Sequence, residues 1–199
     1  MNEAETTATT WQQESTVSGY RIVAPDGWFA VDLEPGRMER SVAALVKRQF
    51  AGIDNAPHLK AQARQQLLAQ TQAAQSAGGL EMFLSLQQVG GVPIAASLVI
   101  FLVPPPGTQG VTAADLARSL AADDERRVTV VDLPAGHAVR VFRRTGAQDG
   151  SVSATLEVFV PVPHNGEWLL LSFATPLSPL APALTKLFDA ICTTLRWDY

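Results

Sequence analysis

The sequence predicts an α+β fold: an antiparallel β-sheet with helices packed on its faces, an α-β-α sandwich closed by a long C-terminal amphipathic helix. Three observations carry this reading. Apolar residues alternate at two-residue steps in several short runs bounded by turn residues, and elsewhere they recur at three- and four-residue steps. The strand-like runs come in consecutive groups, without the strand-helix-strand alternation that builds a parallel sheet. The same order argues against a nucleotide site at the switch point of a doubly wound sheet.

Taken in order, Tyr20 to Ala24 and Trp28 to Val31 flank Pro25-Asp26-Gly27 and read as a first hairpin. Val42, Leu45, Val46, Gln49, Phe50 and Ile53 then mark a helix with one apolar face. A second, Gln- and Ala-rich helix is expected from His58 to Ala77, stopped by Gly78-Gly79. Its apolar stripe (Leu59, Ala63, Leu67) is thin, which leaves Gln62, Gln65, Gln66, Gln70 and Gln72 toward water on a packing helix, or offers a docking surface to another helix. Leu80, Met82, Leu84 and Leu86 alternate with Glu81, Ser85 and Gln87, and Gly90-Gly91 turns this strand back into the apolar run Ile94 to Val103 as a second hairpin. After Pro104-Pro105-Pro106-Gly107, Thr112 with Asp115 three residues on forms a capping-box pattern, starting a helix to about Asp123. Strands are expected at Val128 to Leu133, His137 to Arg143, Ala154 to Val162 and Glu167 to Ala174, with His164-Asn165-Gly166 as a tight turn whose Asn-Gly supplies positive φ. Leu180, Leu184, Leu187, Phe188, Ile191 and Leu195 define the terminal helix.

Composition narrows the classes of partner. Fifteen basic against nineteen acidic residues give a net charge of −4, which provides no general field for a phosphate backbone, so nucleic acid is not expected. The apolar run Ile94 to Val103 is ten residues long, whereas a membrane-spanning helix needs roughly twenty, so no membrane insertion is expected. Cys192 is the only cysteine, which fits a reducing compartment and a cytoplasmic location. Residues 1–18 are polar, with Glu3 and Glu5 where a signal peptide would carry basic residues, and read as a flexible tail; residues 19–199 read as one domain.

Motifs that would carry chemistry are missing. His58, His137 and His164 show neither HxH nor HExxH spacing, and no cysteine cluster exists, so no metal is expected. Cys192 lies beside the apolar stripe of the last helix, where a thiol acts as a small buried hydrophobe. No Gly-x-Ser-x-Gly elbow and no phosphate-loop or dinucleotide fingerprint appears, so no catalytic residue and no cofactor is expected. Asp123, Asp124 and Glu125 beside Arg126 and Arg127 read as a solvated helix end.

The candidate binding residues are Arg140, Arg143, Arg144, Trp28 and Trp168. Arg140 should face away from Val139 and Val141 on its strand, and the three arginines together make a small basic patch for an acidic partner, with cross-strand pairing to Glu157 as the alternative. Trp28, Trp168 and Trp197 either pack in the core or line an apolar cleft left between a curved sheet and the last helix.

Ala24-Pro25-Asp26-Gly27-Trp28 near the start, together with Glu167 to Pro176 and an amphipathic helix ending Leu195-Arg196-Trp197, resembles the PsbP-like superfamily over most of Tyr20 to Trp197. That superfamily includes the extrinsic photosystem II subunit, a Ran-binding import factor and bacterial proteins, some of them chaperones of hydrophobic segments of secreted effectors. The resemblance implies an α-β-α sandwich and a binding role, and transfers no catalytic residue. The helix from His58 to Ala77 departs from smaller members, and the lipobox cysteine of some bacterial relatives is missing. The expected function is a non-enzymatic protein-binding module, adaptor or chaperone-like, recognising an apolar segment of a protein partner and including a homodimer among its states. The alternative is a small apolar-ligand carrier with its cleft between the sheet and the C-terminal helix.

Overall fold

The computed structural model describes residues 17–53, 55–85, 87–89, 92–104, 110–146 and 152–199. In chain order, β1 (Gly19–Arg21) and β2 (Trp28–Val31) precede α1 (Met38–Gln49) and α2 (Pro57–Ser76). β3 (Gly79–Ser85), the two-residue strands β4 (Gln88–Val89) and β5 (Val92–Pro93), and β6 (Ser97–Val103) lead to α3 (Ala113–Leu120). A meander of β7 (Arg126–Leu133), β8 (Gly136–Gly146), β9 (Val152–Pro161) and β10 (Trp168–Thr175) follows, then a 3-10 turn (Ser178–Leu180), α4 (Ala181–Cys192) and β11 (Arg196–Asp198). Seven strands form one antiparallel sheet in the order β2-β3-β6-β10-β9-β8-β7.

The two faces of this sheet differ. On the first, Leu98, Ile100, Leu156, Val160, Leu171 and Phe173 are fully buried beneath α4 and the segment around Leu195. Phe188 of α4 stacks on Phe173 at 4.7 Å between ring centroids and meets Trp28 edge-on at 6.2 Å. On the second face two smaller cores form: α1 and α2 close Val31, Met82 and Leu84, while Leu116 of α3 closes Val139, Val141 and Trp168. Arg48 over the Phe29 ring, 4.0 Å from its centroid, adds a cation-π contact between α1 and β2. The layers are thus helices, sheet, helix, as the sequence predicts.

Several local expectations hold. Thr112 caps α3, its hydroxyl accepting from the Asp115 N–H while the Asp115 carboxylate accepts from the Thr112 N–H. Met82 and Leu84 alternate into the core on β3, which pairs with β6 as expected. α2 keeps its glutamines outward and buries only Thr71 and Ala74.

Others need correction. Tyr20 to Ala24 does not form a hairpin with Trp28 to Val31. The turn exists, with the Trp28 N–H donating to the Pro25 carbonyl, yet β1 pairs with β11 and β2 with β3. Arg21 with Asp198 and the Val23 N–H donating to Thr194 draw β1 to that distant strand, while Tyr20 Oη donates to Glu81 of β3. At the turn Gly27 has φ +83° and lies so close to Gln87 that a Cβ would meet its Cγ at 2.7 Å.

The expected tail, residues 1–18, falls mostly outside the described residues, but Ser18 is tied down: its N–H and hydroxyl both donate to the Asp198 carbonyl. Leu80 is exposed, not buried, because a register shift between Gly79 and Glu81 breaks the alternation. Leu86, Gly90, Gly91 and the run from Pro105 to Gly107 lie outside the described residues. Ile53 is beyond the end of α1 and exposed, and α3 stops at Leu120. In the β9–β10 turn the positive φ falls on Gly166 as expected and on His164 in place of Asn165, whose side chain accepts from the Glu167 N–H. The terminal helix is shorter than its apolar stripe, because Leu195 is buried in the link to β11, a strand that no periodicity announces.

Two stability measurements check this account. Phe188→Ala should cost about 3–5 kcal/mol in urea denaturation, whereas Lys186→Ala on the exposed side of α4 should stay within about 0.5 kcal/mol. Thr112→Ala should cost about 1 kcal/mol through loss of the α3 cap.

Candidate functional site

Strand alternation on the three central strands builds the candidate site. Along β6, β9 and β10 every residue on the α4 side from Leu98 to Ile100, Ala154 to Val160 and Leu169 to Phe173 is buried, while its neighbours Ser97, Val99, Phe101, Thr155, Glu157, Phe159, Leu170, Ser172 and Ala174 are only partly buried, Val99 and Phe159 packing beside the helical cores. The register places these second-face residues in cross-strand rows, Phe101-Leu170-Phe159, Val99-Ser172-Glu157 and Ser97-Ala174-Thr155. The helices of this face pack on the outer strands, α1 and α2 on β2 and β3, α3 on β8 and β7. The result is a trough floored by sheet. Three strands span about 10 Å between the outer two, the width of a helix or of an extended chain with its side chains.

At the end nearest α1 and α2 the trough deepens into a cleft of about 410 Å³. Gln49, Gln66, Gln70, Ala63 and Leu67 form its helical wall, and Ser97, Ser153, Ala174 and Thr175 line the strand side. Its polar groups are amides and hydroxyls, which both donate and accept hydrogen bonds and suit main-chain groups of a partner better than a charged ligand. A second, more open cleft of about 720 Å³ lies between the C-terminal end of α1 and the start of α2, with Val46 and Phe50 beside Lys47, Lys60 and Arg64.

The residues singled out from sequence are not brought together. Trp28 and Trp168 are core residues on opposite faces, and the Trp197 Nε1–H donates to the Ala135 carbonyl, so the three tryptophans line no common cleft. The proposed gap between sheet and C-terminal helix is filled by Phe188, Leu184 and Ile191. The arginines split by strand parity: Arg140 and Arg144 lie on the α4 face and Arg143 on the trough face. Arg140 pairs with Asp189 of α4 through two hydrogen bonds of 2.8 and 3.2 Å, and not with Glu157. The reason is geometric, because Glu157 sits on the other face, opposite Val141. Of the five candidates only Arg143, across from Thr155, borders the trough. Leu170, Ser172 and Phe101 were not singled out, and Gln66 was named only within the outward glutamine row; the only sequence sign of the strand residues is the polar members of otherwise apolar strands.

Two ionisable groups on the α4 side are held by burial. The Cys192 thiol is pushed up to about 12, first by burial and then by the Asp189 carboxylate, with Arg140 pulling the other way. The Tyr20 hydroxyl is raised by burial, by the charge of Glu81 and by its hydrogen bond to that carboxylate. A thiol in this state is a poor nucleophile. His137 pairs with Asp132 at the β7–β8 turn with both side chains largely in solvent. Among the described residues no three His, Cys, Asp or Glu side chains converge as metal ligands, and no helix is long and apolar enough to cross a membrane.

No family model matches the sequence, and no curated protein matches it in sequence. Among solved structures, LpqN, which is involved in cell envelope biogenesis of Mycobacterium tuberculosis, is similar over 94% of this chain and 88% of its own, at 11% identity and a TM-score of 0.50. Cyanobacterial PsbP from Synechocystis sp. PCC 6803 matches over 92% of this chain and 91% of its own, at 16% identity and a TM-score of 0.35. The likeness is one of fold alone. The chain has the α+β fold predicted from its sequence, one antiparallel sheet between helical layers, and shares that fold with LpqN.

Both raised groups release stability in the alkaline range: the folded form holds its proton more tightly, so their contribution is complete below the ordinary thiol value of 9.0 and is lost as pH climbs above it. The melting temperature should be flat from neutral pH to about 9 and then fall. Cys192→Ala should remove part of that fall, and in the native protein Cys192 should react with iodoacetamide far more slowly than in urea. Asp189→Asn should lower stability by about 1–2 kcal/mol, a value already reduced for the partial exposure of the carboxylate.

Proposed function

We propose that this chain is a non-enzymatic protein-binding module, adaptor or chaperone-like, which receives a polypeptide segment bearing apolar side chains in the trough of its second sheet face. One observation supports it above the rest: three central strands are sealed on one side and half-open on the other, in register, over their shared length. A sheet face that is only partly covered exposes contiguous apolar area, and contiguous exposed apolar area is a feature of interaction sites. Phe101, Leu170 and Phe159 provide the apolar contact, while Gln66, Gln70 and the serines at the cleft offer partners to the main chain of the bound segment. The mixed amide and hydroxyl lining favours a polypeptide over a wholly apolar small molecule.

A cytoplasmic location belongs to this proposal, supported by the lone buried Cys192. The link of LpqN to cell envelope biogenesis makes the envelope the competing location. Fractionation of the native host decides between them.

The trough is tested by placing a photo-crosslinking residue at Ser172 or, as a control, at Lys186 on the exposed side of α4. In the host, crosslinks to a partner protein should form from position 172 and not from 186, and Leu170→Glu should abolish them while leaving the melting temperature within a few degrees. Equal crosslinking from both positions, or crosslinking unaffected by Leu170→Glu, removes the trough as the binding surface.

A further inference from the structure

We infer that β7 is a self-pairing edge through which two copies of this chain associate. Among the described residues β7 ends the strand order and pairs only with β8, which leaves one side of its backbone unpaired within the sheet. It runs for eight residues, against four for β2 at the opposite edge. Sheet edges that must stay single are usually guarded by a proline, a bulge, a short length or a charge at mid-strand. β7 reads Arg-Arg-Val-Thr-Val-Val-Asp-Leu, keeps unbroken register with β8 from Arg126 opposite Arg143 to Leu133 opposite Gly136, and confines its charges to its two ends. Its centre is apolar or hydroxyl-bearing, and Val130 is 47% exposed.

Self-complementarity selects both the partner and the register. In an antiparallel pair of identical strands about a two-fold axis, facing residues share a sheet face, so each pairs with a residue an even number of positions away or with itself. Centred on Thr129, the pairing sets Thr129 against its own copy, Val128 against Val130, Arg127 against Val131, and Arg126 against Asp132. Opposite charges then meet twice, the exposed valine is covered twice, and the central threonines form a favourable cross-strand pair. Centring on Val128 sets Arg126 against Val130, and centring on Val130 sets Val128 against Asp132, so both lose the charge match. The present partners of these end residues, Asp123 for Arg126 and His137 for Asp132, are surface pairs that exchange at little cost.

The test is sedimentation velocity over a concentration series, combined with cysteine crosslinking. The wild-type chain should shift from monomer to dimer as concentration rises. Arg126→Asp sets two carboxylates against each other at both ends and should weaken association roughly tenfold, and adding Asp132→Arg should restore it by re-matching the charges. Thr129→Cys should give a disulfide-linked dimer under mild oxidation, because residues directly opposed across a ladder lie within disulfide reach. Arg127→Cys should not, since its two copies would lie roughly 13 Å apart along the strand. Buried Cys192 adds no background. A monomer at every concentration, equal crosslinking from positions 127 and 129, or failure of the charge reversal to restore association would each overturn the inference.

Discussion

The fold depends on one contact surface, the packing of α4 onto the first face of the sheet. Phe188 is the centre of it, stacked on Phe173 and edge-on to Trp28, so that a single ring joins the terminal helix to the central and edge strands of the sheet. Phe173 belongs to β10, the middle strand of the order, and Trp28 to β2 at its rim. Closing this face so completely also decides where chemistry and contact are available. With the α4 side filled, any surface for recognition must come from the other side or from the edges.

That other side is divided because its helices come in two groups. α1 and α2 form one unit over β2 and β3, α3 another over β8 and β7, and each completes its own small core. The first core extends to Val99 of β6 and the second to Phe159 of β9, and the partly buried Phe101, Leu170 and Ser172 lie between them. The trough is therefore a by-product of topology: the chain supplies one short helix, α3, after the second hairpin, and its single turnful of apolar residues around Leu116 is sufficient only for the β7–β8 end.

Much of the sheet was legible because alternation is a local signal. Leu98 and Ile100, Leu156 and Val158, and Leu171 and Phe173 are spaced two apart in the sequence, and the Thr112–Asp115 cap needs only four residues to declare itself. What stayed hidden depends on distance along the chain. Pro25-Asp26-Gly27 announces a turn but not which strand lies beside β1, and the partner, β11, is three residues long and 177 positions away at the Arg21–Asp198 pair. Arg140 and Asp189 likewise find each other over 49 positions. The trough was concealed for a different reason, since Ser172 and Glu157 have the look of any solvent-facing residue of a one-sided strand until the placement of the helices shows that their row is shared by Phe101 and Leu170. The expected gap under the C-terminal helix failed because the same apolar stripe that identifies α4 also supplies the volume that fills the space.

The pairing of β1 with β11 has a mechanical consequence. Gly19 lies opposite Asp198 and the strands run antiparallel, so both ends of the described chain leave the molecule at the same corner. Tension applied between them peels this short ladder one bond at a time instead of shearing all its bonds together. Once it has opened, the load on the C-terminal side passes through Leu195 and Thr194 to α4, the helix that seals the sheet, while on the N-terminal side it meets the Tyr20–Glu81 bond to β3 and then β2.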